Sequence, residues 1–324
     1  MGLFRPAHPL ISFVVPMYDE ESSLDAFFAR VDAVMQPLDS AYEIICVNDG
    51  SRDGTLNQLI EAAGRDARIK VVDLTRNFGK DIALTAGLDY ASGDAVVPID
   101  ADLQDPPECV PEMIRLWREG WDVVYGTRID RSSDTIGKRI SANWFYHIFN
   151  SISEISIPAN TGDFRLMDRR VVGDVRRLRE RNRFMKGMFA WVGYRQTSVD
   201  YARPVREAGQ TSWNLWKLWN FALDGIVAFT TLPLRVWSYL GGLISIGSFF
   251  YAVILMLRVL VWGADVPGYA SIMVVVLVLG GLQLLTMGIV GEYLARIYLE
   301  VKQRPLYLVR ETHGLEPIQE TLQR

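Results

Sequence analysis

The chain has 324 residues, 49% of them hydrophobic and 22% charged, with a formal net charge of -4. That composition excludes a disordered chain, and with no basic stripe interleaved with aromatics in the first half it gives no case for a nucleic-acid partner. The two cysteines, Cys46 and Cys109, have no metal-ligand spacing and no disulfide framework, and Cys46 reads as a buried apolar residue.

Strand and helix patterns alternate from the start. Leu10–Val15 reads as a strand, too short for the apolar region of a signal peptide and closed by Pro16. Glu21–Met35 has helical spacing at Leu24, Phe27, Phe28, Val31 and Val34. Tyr42–Val47 is a second strand, and the turn Asn48-Asp49-Gly50-Ser51 leads to a helix over Asp53–Ala63. Ile69–Leu74 is a strand and Ile82–Tyr90 a helix; Ala95–Ile99 is a strand, Cys109–Arg118 a helix and Val123–Tyr125 a strand. This alternation predicts an α/β fold, a mostly parallel sheet with helices on both faces. The strands end in polar clusters: Tyr18-Asp19-Glu20, Asn48 to Ser51, Arg76 to Lys80, Asp100-Ala101-Asp102 and Gly126-Thr127-Arg128. In a parallel sheet all five share the rim where ligands collect.

The pattern then changes. Lys138–Ile152 is a helix with large groups on several sides, fit for a core or a membrane surface. Thr161–Leu166 sets Asp163 and Arg165 two apart around Phe164, and Arg169–Arg181 is strongly basic, as on a solvated helix face. Ser212–Asp224 carries Trp213, Trp216 and Trp219 near one helical face, as at a membrane interface. Val236–Leu257 and Tyr269–Gly291 are uncharged, each about 22 residues, enough to cross a bilayer. Gly280, Gly281, Gly288 and Gly291 in the second allow close helix packing, and with it a homo-oligomer. Arg235 precedes the spans, and Arg296, Lys302, Arg304 and Arg310 follow them, which puts both ends in the cytoplasm.

In an extended backbone Asp100 and Asp102 face the same way. Asp100-Ala101-Asp102-Leu103-Gln104 supplies oxygen ligands suited to a hard divalent cation, Mg²⁺ or Mn²⁺, completed by substrate phosphates. No P-loop motif points to an ATPase, and no Gly-x-Gly-x-x-Gly follows the first strand. Acids, a metal and arginines on one rim suit a nucleotide diphosphate leaving group.

Val14–Glu20, Val47–Asp53, Arg76–Lys80 and Asp100–Pro106 resemble the inverting family-2 glycosyltransferases of GT-A (Rossmann-like) fold. Within that family the chain resembles polyprenyl-phosphate glycosyltransferases such as dolichyl-phosphate mannose synthase. Gly162–Met167, Phe184–Gly187, Trp216–Asn220 and Gly291–Tyr293 resemble the bacterial bactoprenol glucosyltransferases that supply glucose for O-antigen modification.

The resemblance implies roles. Pro16, Tyr18, Glu20 and Asp49 hold the uridine, and Asp100 contacts the ribose or diphosphate. Asp102 and Gln104 ligate the metal, and Arg128 and Arg206 grip phosphates, the lipid phosphate above all. Asp163 stands where such enzymes are assigned a catalytic base, but a phosphate monoester with a second pKa of about 6 is already a dianion at neutral pH. Asp163 is therefore expected to position the sugar or orient Arg165. One departure is Ser212, in Arg206-Glu207-Ala208-Gly209-Gln210-Thr211-Ser212, where the family carries a cation; Lys217 is a substitute within reach of the sequence.

The implied reaction moves glucose from UDP-glucose to undecaprenyl phosphate at the cytoplasmic face of a bacterial plasma membrane. A GT-A domain over residues 1–210, interfacial helices over 211–234, two transmembrane helices over 235–295 and a cytoplasmic tail over 296–324 would carry it out. Two spans form no evident sugar channel and Gln-x-x-Arg-Trp is absent, so a separate flippase is expected. The rivals are another donor, GDP-mannose or a UDP-amino sugar, and an inactive membrane scaffold.

Overall fold

Eight strands among the described residues form one sheet in the order β7-β5-β6-β4-β1-β2-β3-β8. The structure is a computed structural model that describes residues 5–128, 161–181, 183–201, 232–262 and 268–315. The first half runs β1 (Leu10–Met17), α1 (Leu24–Met35), β2 (Ala41–Asn48), α2 (Thr55–Arg65), β3 (Ile69–Leu74), α3 (Lys80–Tyr90) and β4 (Ala95–Pro98). A short 3₁₀ turn, Pro107–Cys109, leads into α4 (Val110–Arg118) and β5 (Val123–Arg128). β6 (Thr161–Asp168), α5 (Arg169–Arg177), α6 (Met185–Trp191) and β7 (Gln196–Tyr201) complete the main body. Two long helices follow, α7 (Leu232–Trp262) and α8 (Tyr269–Val301), then β8 (Val309–His313).

β1 pairs in parallel with both β2 and β4, and β2 with β3. The period of two divides β1 between two cores. Ile11, Phe13, Val15 and Met17 pack with Leu24, Phe27 and Val31 of α1 and Trp117 of α4 on one face. Val14 packs with Ile45, Val47 and the α3 residues Ala83, Leu84 and Leu88 on the other. α3 lies so close to the sheet that a Cβ on Gly87 would stand 2.3 Å from Val14 Cγ1. The expected Rossmann-like α/β arrangement, helices on both faces of a mostly parallel sheet, is the one observed.

Three strands escape the sequence pattern. β6 inserts antiparallel between β4 and β5, so its N-terminal end reaches the rim where its neighbours' C-terminal ends lie. Apolar alternation there is broken by Arg165, which is fully enclosed yet satisfied: it donates to the Gly162 carbonyl at 2.8 Å and stacks 4.2 Å over Phe189. β7 extends β5 in parallel. β8, in the stretch read as a tail, adds an antiparallel edge to β3.

The basic stretch Arg169–Arg181 is not a simple solvated face. Arg176 donates to the carbonyls of Leu88 and Ala91, and Arg179 pairs with buried Asp89 at 2.8 Å. These arginines fasten α5 and the loop after it to α3.

α8 runs ten residues past Gly291, and its Val274–Val301 portion is long and apolar enough to cross a membrane by length and composition. In the first helix the described apolar stretch, Tyr239–Tyr251, is shorter than a span. Along both helices large apolar side chains are exposed, among them Leu243, Phe249, Leu284 and Met287. The expected helix Lys138–Ile152, the tryptophan-bearing stretch Ser212–Asp224 and its neighbour Arg206 lie outside the described residues.

Candidate active site

All five expected clusters end strands that run the same way, because β5 and β4 are each antiparallel to β6. Pro16, Tyr18, Glu20, Asp49, Asp100 and Asp102 line one cleft on that rim, together with Asn77, Gly79 and Lys80. Its walls are held by side chain-to-backbone bonds. Asp49 accepts from the N–H groups of Phe78 and Gly79 at 2.6 and 2.9 Å, so it fixes the loop after β3. Burial raises its pKa and those two donors oppose the rise. Gly50 makes this approach possible: its φ is +69°, and a Cβ there would stand 2.6 Å from the Asn77 nitrogen. Glu20 accepts from Ser23 Oγ at 2.9 Å, and Tyr18 remains exposed at the mouth.

Asp100 and Asp102 follow β4 in a turn rather than in the extended chain expected, and both still line the cleft. Asp102 closes a small turn, its Oδ1 accepting from the Gln104 N–H at 3.1 Å, with Leu103 between them at φ +57°. Gln104 is buried and is not among the residues lining the cleft. Among the described residues no three His, Cys, Asp or Glu side chains converge as a closed metal cage. Two carboxylates at an open cleft do fit a hard divalent cation that takes one or two carboxylates and completes its shell with phosphate and water.

Lys80 is the residue whose role the sequence pattern missed. Standing first in α3, it donates to Asp100 Oδ2 at 2.7 Å and lies 3.3 Å from Asp163 Oδ2. One ammonium thus joins the end of β4 to the start of β6. Burial lowers its pKa, but the two carboxylates outweigh burial and hold it above the usual lysine value. Burial raises the pKa of Asp100. For Asp163 burial also acts upward, yet Lys80, Lys186 and Arg165 prevail and keep it below the usual carboxylate range. It is a weak base held by cations.

Arg128 ends β5 beside Asp163: a Cβ on Gly162 would meet its Nη2 at 3.2 Å. Its Nε donates to Tyr201 Oη at 3.1 Å, and Tyr201 in turn donates to buried Asp105 at 2.5 Å. Arg128 Nη2 lies 3.6 Å from the same Asp105 carboxylate.

A second cleft, with about 650 Å³ of room, adjoins the first through Gly79 and Lys80. It is lined by Asp81, Asp163, Arg181, Arg183 and Lys186, with Phe78, Phe184 and Met185. Burial, helped by Asp163, lifts the Asp81 carboxyl to about 7 against the pull of Lys80, Lys186 and Arg183. A carboxyl whose folded pKa exceeds its unfolded value of 3.8 costs stability once pH rises above that unfolded value, and the cost is complete above the folded one. Asp81→Asn should therefore melt with the wild type at pH 4 and above it at pH 8, in scans of the purified chain at one heating rate. An equal difference at both pH values would remove Asp81 from the titrating groups.

Residues 12–176 match Glycosyl transferase family 2. An uncharacterized glycosyltransferase of Synechocystis sp. is 59% identical over 306 residues, covering 94% of this chain and 96% of the relative. The bactoprenol glucosyl transferase of Shigella phage SfII is 47% identical over 307 residues, covering 95% and 99%. Glucosyl-3-phosphoglycerate synthase of Mycobacterium tuberculosis, solved with Mn²⁺, UDP-glucose and phosphoglyceric acid, superposes with a TM-score of 0.45 at 17% identity over 68% of this chain and 78% of that one. The strand-end acids and the loops they fix lie inside the matched stretch, and with relatives this similar along nearly the whole length, the chain belongs to glycosyl transferase family 2.

Proposed function

We propose that this glycosyltransferase moves glucose from UDP-glucose to undecaprenyl phosphate at the cytoplasmic face of a bacterial plasma membrane. The observation that carries the reading is the single cleft lined by Pro16, Tyr18, Glu20, Asp49, Asp100 and Asp102, joined through Lys80 to Asp163. The name of the SfII relative, at 47% identity, supports the bactoprenol acceptor and the glucose. The exposed apolar surface of α7 and α8 and the length of α8 support a membrane anchor; in this reading both helices cross, residues 211–234 lie at the interface and both termini in the cytoplasm. The lipid product then needs a separate flippase.

In this reading Pro16, Tyr18, Glu20 and Asp49 cradle the uridine. Asp102, with Asp100 or Gln104 beside it, would hold Mg²⁺ or Mn²⁺. When bound, that ion neutralises charge on the departing diphosphate. Lys80 keeps Asp100 and Asp163 at fixed separation, so the donor and the acceptor meet in one orientation. Arg128 and Arg206 grip phosphates. Asp163, with its depressed basicity, positions the sugar while the acceptor oxygen attacks unaided. A single displacement inverts the anomeric centre.

A donor panel tests this. The purified full chain, with Mg²⁺ and undecaprenyl phosphate, should release nucleotide diphosphate from UDP-glucose well ahead of GDP-mannose or UDP-amino sugars. Preference for another donor replaces the sugar assignment, and release from none supports the scaffold.

A further inference from the structure

The second cleft lies outside the residues assigned to the donor, apart from Lys80 and Asp163. It shares Lys80 and Asp163 with the reacting end of the first, so a group held there lies beside the transferred sugar. Its cations outnumber its acids: Lys80, Arg181, Arg183 and Lys186 stand against Asp81 and Asp163. Lys80 is already engaged by two carboxylates.

Arg183 is not satisfied. Among the described residues its Nε and Nη2 are buried with no hydrogen-bond partner, and its Nη1 has only the thioether of Met188 at 3.3 Å. A thioether is a weak acceptor, and a buried cation without acceptors is costly. Burial, helped by Arg179, lowers the Arg183 pKa to about 10 against the pull of Asp89, Glu180 and Asp81, none of which bonds to it. A neutral sugar would supply hydroxyls but no charge; a phosphate supplies both acceptors and charge.

The cleft is also placed where a lipid could reach it. The Arg181 backbone N–H donates to Glu300 Oε1 at 2.6 Å, and Glu300 lies in the last turn of α8, the helix long and apolar enough to cross a membrane. A prenyl chain lying along that helix would carry its phosphate to this level.

We propose that Arg183 and Lys186, which line the same cleft as Asp163, hold the phosphate of the prenyl-phosphate acceptor. This rests on the proposed function and names its acceptor subsite. One phosphate oxygen forms the new bond to the sugar's anomeric carbon as the bond from that carbon to the diphosphate breaks. The electron pair leaves with the diphosphate. The acceptor enters as a dianion and leaves as a monoanionic diester, so no proton needs to be removed.

The test measures both Michaelis constants for the full chain in detergent, with UDP-glucose, Mg²⁺ and undecaprenyl phosphate. Arg183→Gln should raise KM for undecaprenyl phosphate about tenfold or more while KM for UDP-glucose stays within about twofold. Arg183→Lys should recover part of the loss, and Lys186→Gln should show the same acceptor-only effect more weakly. UDP binding reports whether each variant is folded; if Arg183→Gln is not, Lys186→Gln decides the question. An unchanged acceptor KM, or a rise in donor KM instead, overturns the subsite while the proposed function stands. Wild-type protein that transfers nothing to undecaprenyl phosphate overturns the function itself, and the subsite with it.

Discussion

Asp102→Ala is expected to lower kcat by about 10³-fold with the fold intact. Asp102 sits at the end of a parallel strand, in the cleft that also contains Tyr18, Glu20 and Asp100. Its Oδ1 accepts from a backbone N–H only two residues on, so it stands at the cleft in a local turn. The loss falls on the carboxylate set that would hold the divalent ion against the diphosphate. Mn²⁺ binding followed by electron paramagnetic resonance with UDP present separates that effect from misfolding: the variant should bind Mn²⁺ far more weakly at unchanged melting temperature. Wild-type turnover and wild-type Mn²⁺ binding in Asp102→Ala would remove this residue from the site.

Asp163→Asn should cost about 10²-fold in kcat, for a different reason. Asp163 is one of two anions that hold Lys80, and Lys80 joins the loop after β4 to the start of β6. The amide keeps the shape and loses the charge, so the ammonium is left to Asp100 alone. Since Lys80, Lys186 and Arg165 depress the basicity of Asp163, and a phosphate monoester is already ionised at neutral pH, no proton transfer is being removed. The ratio of wild-type to variant rates should therefore stay flat from pH 7 to pH 9. Recovery of the variant to the wild-type rate at pH 9 would make Asp163 a base.

The rim was legible where chemistry and local period coincide. Asp100 and Asp102 both reach the cleft, although by a turn after β4 rather than by the alternation of an extended chain, and Pro16, Tyr18, Glu20 and Asp49 lie just beyond apolar runs whose burial on both faces marks parallel strands. Lys80 was legible as part of the rim cluster Arg76–Lys80 but was given no role there, because a lysine at the start of a helix has the pattern of a solvated one. Its role depends on Asp163, which reaches the rim only because β6 enters the sheet antiparallel. That strand hides its own signal: Asp163 and Arg165 interrupt the apolar alternation, and buried Arg165 is paid for by carbonyls and an aromatic face that only the fold supplies. Lys186 was marked only through the resemblance of Phe184–Gly187, and Arg183, just beyond the basic stretch Arg169–Arg181, had no pattern of its own. β8 was missed because a charged five-residue strand has no apolar pattern until β3 offers it an edge.

The most direct measurement incubates the purified full chain with radiolabelled UDP-glucose, undecaprenyl phosphate and Mg²⁺, then partitions the mixture into an organic phase. Label should appear in the lipid phase as a mild-acid-labile glucosyl phosphate of inverted configuration, and should be absent with Asp102→Ala. Label that stays in the aqueous phase, as free glucose or unreacted donor, contradicts the account.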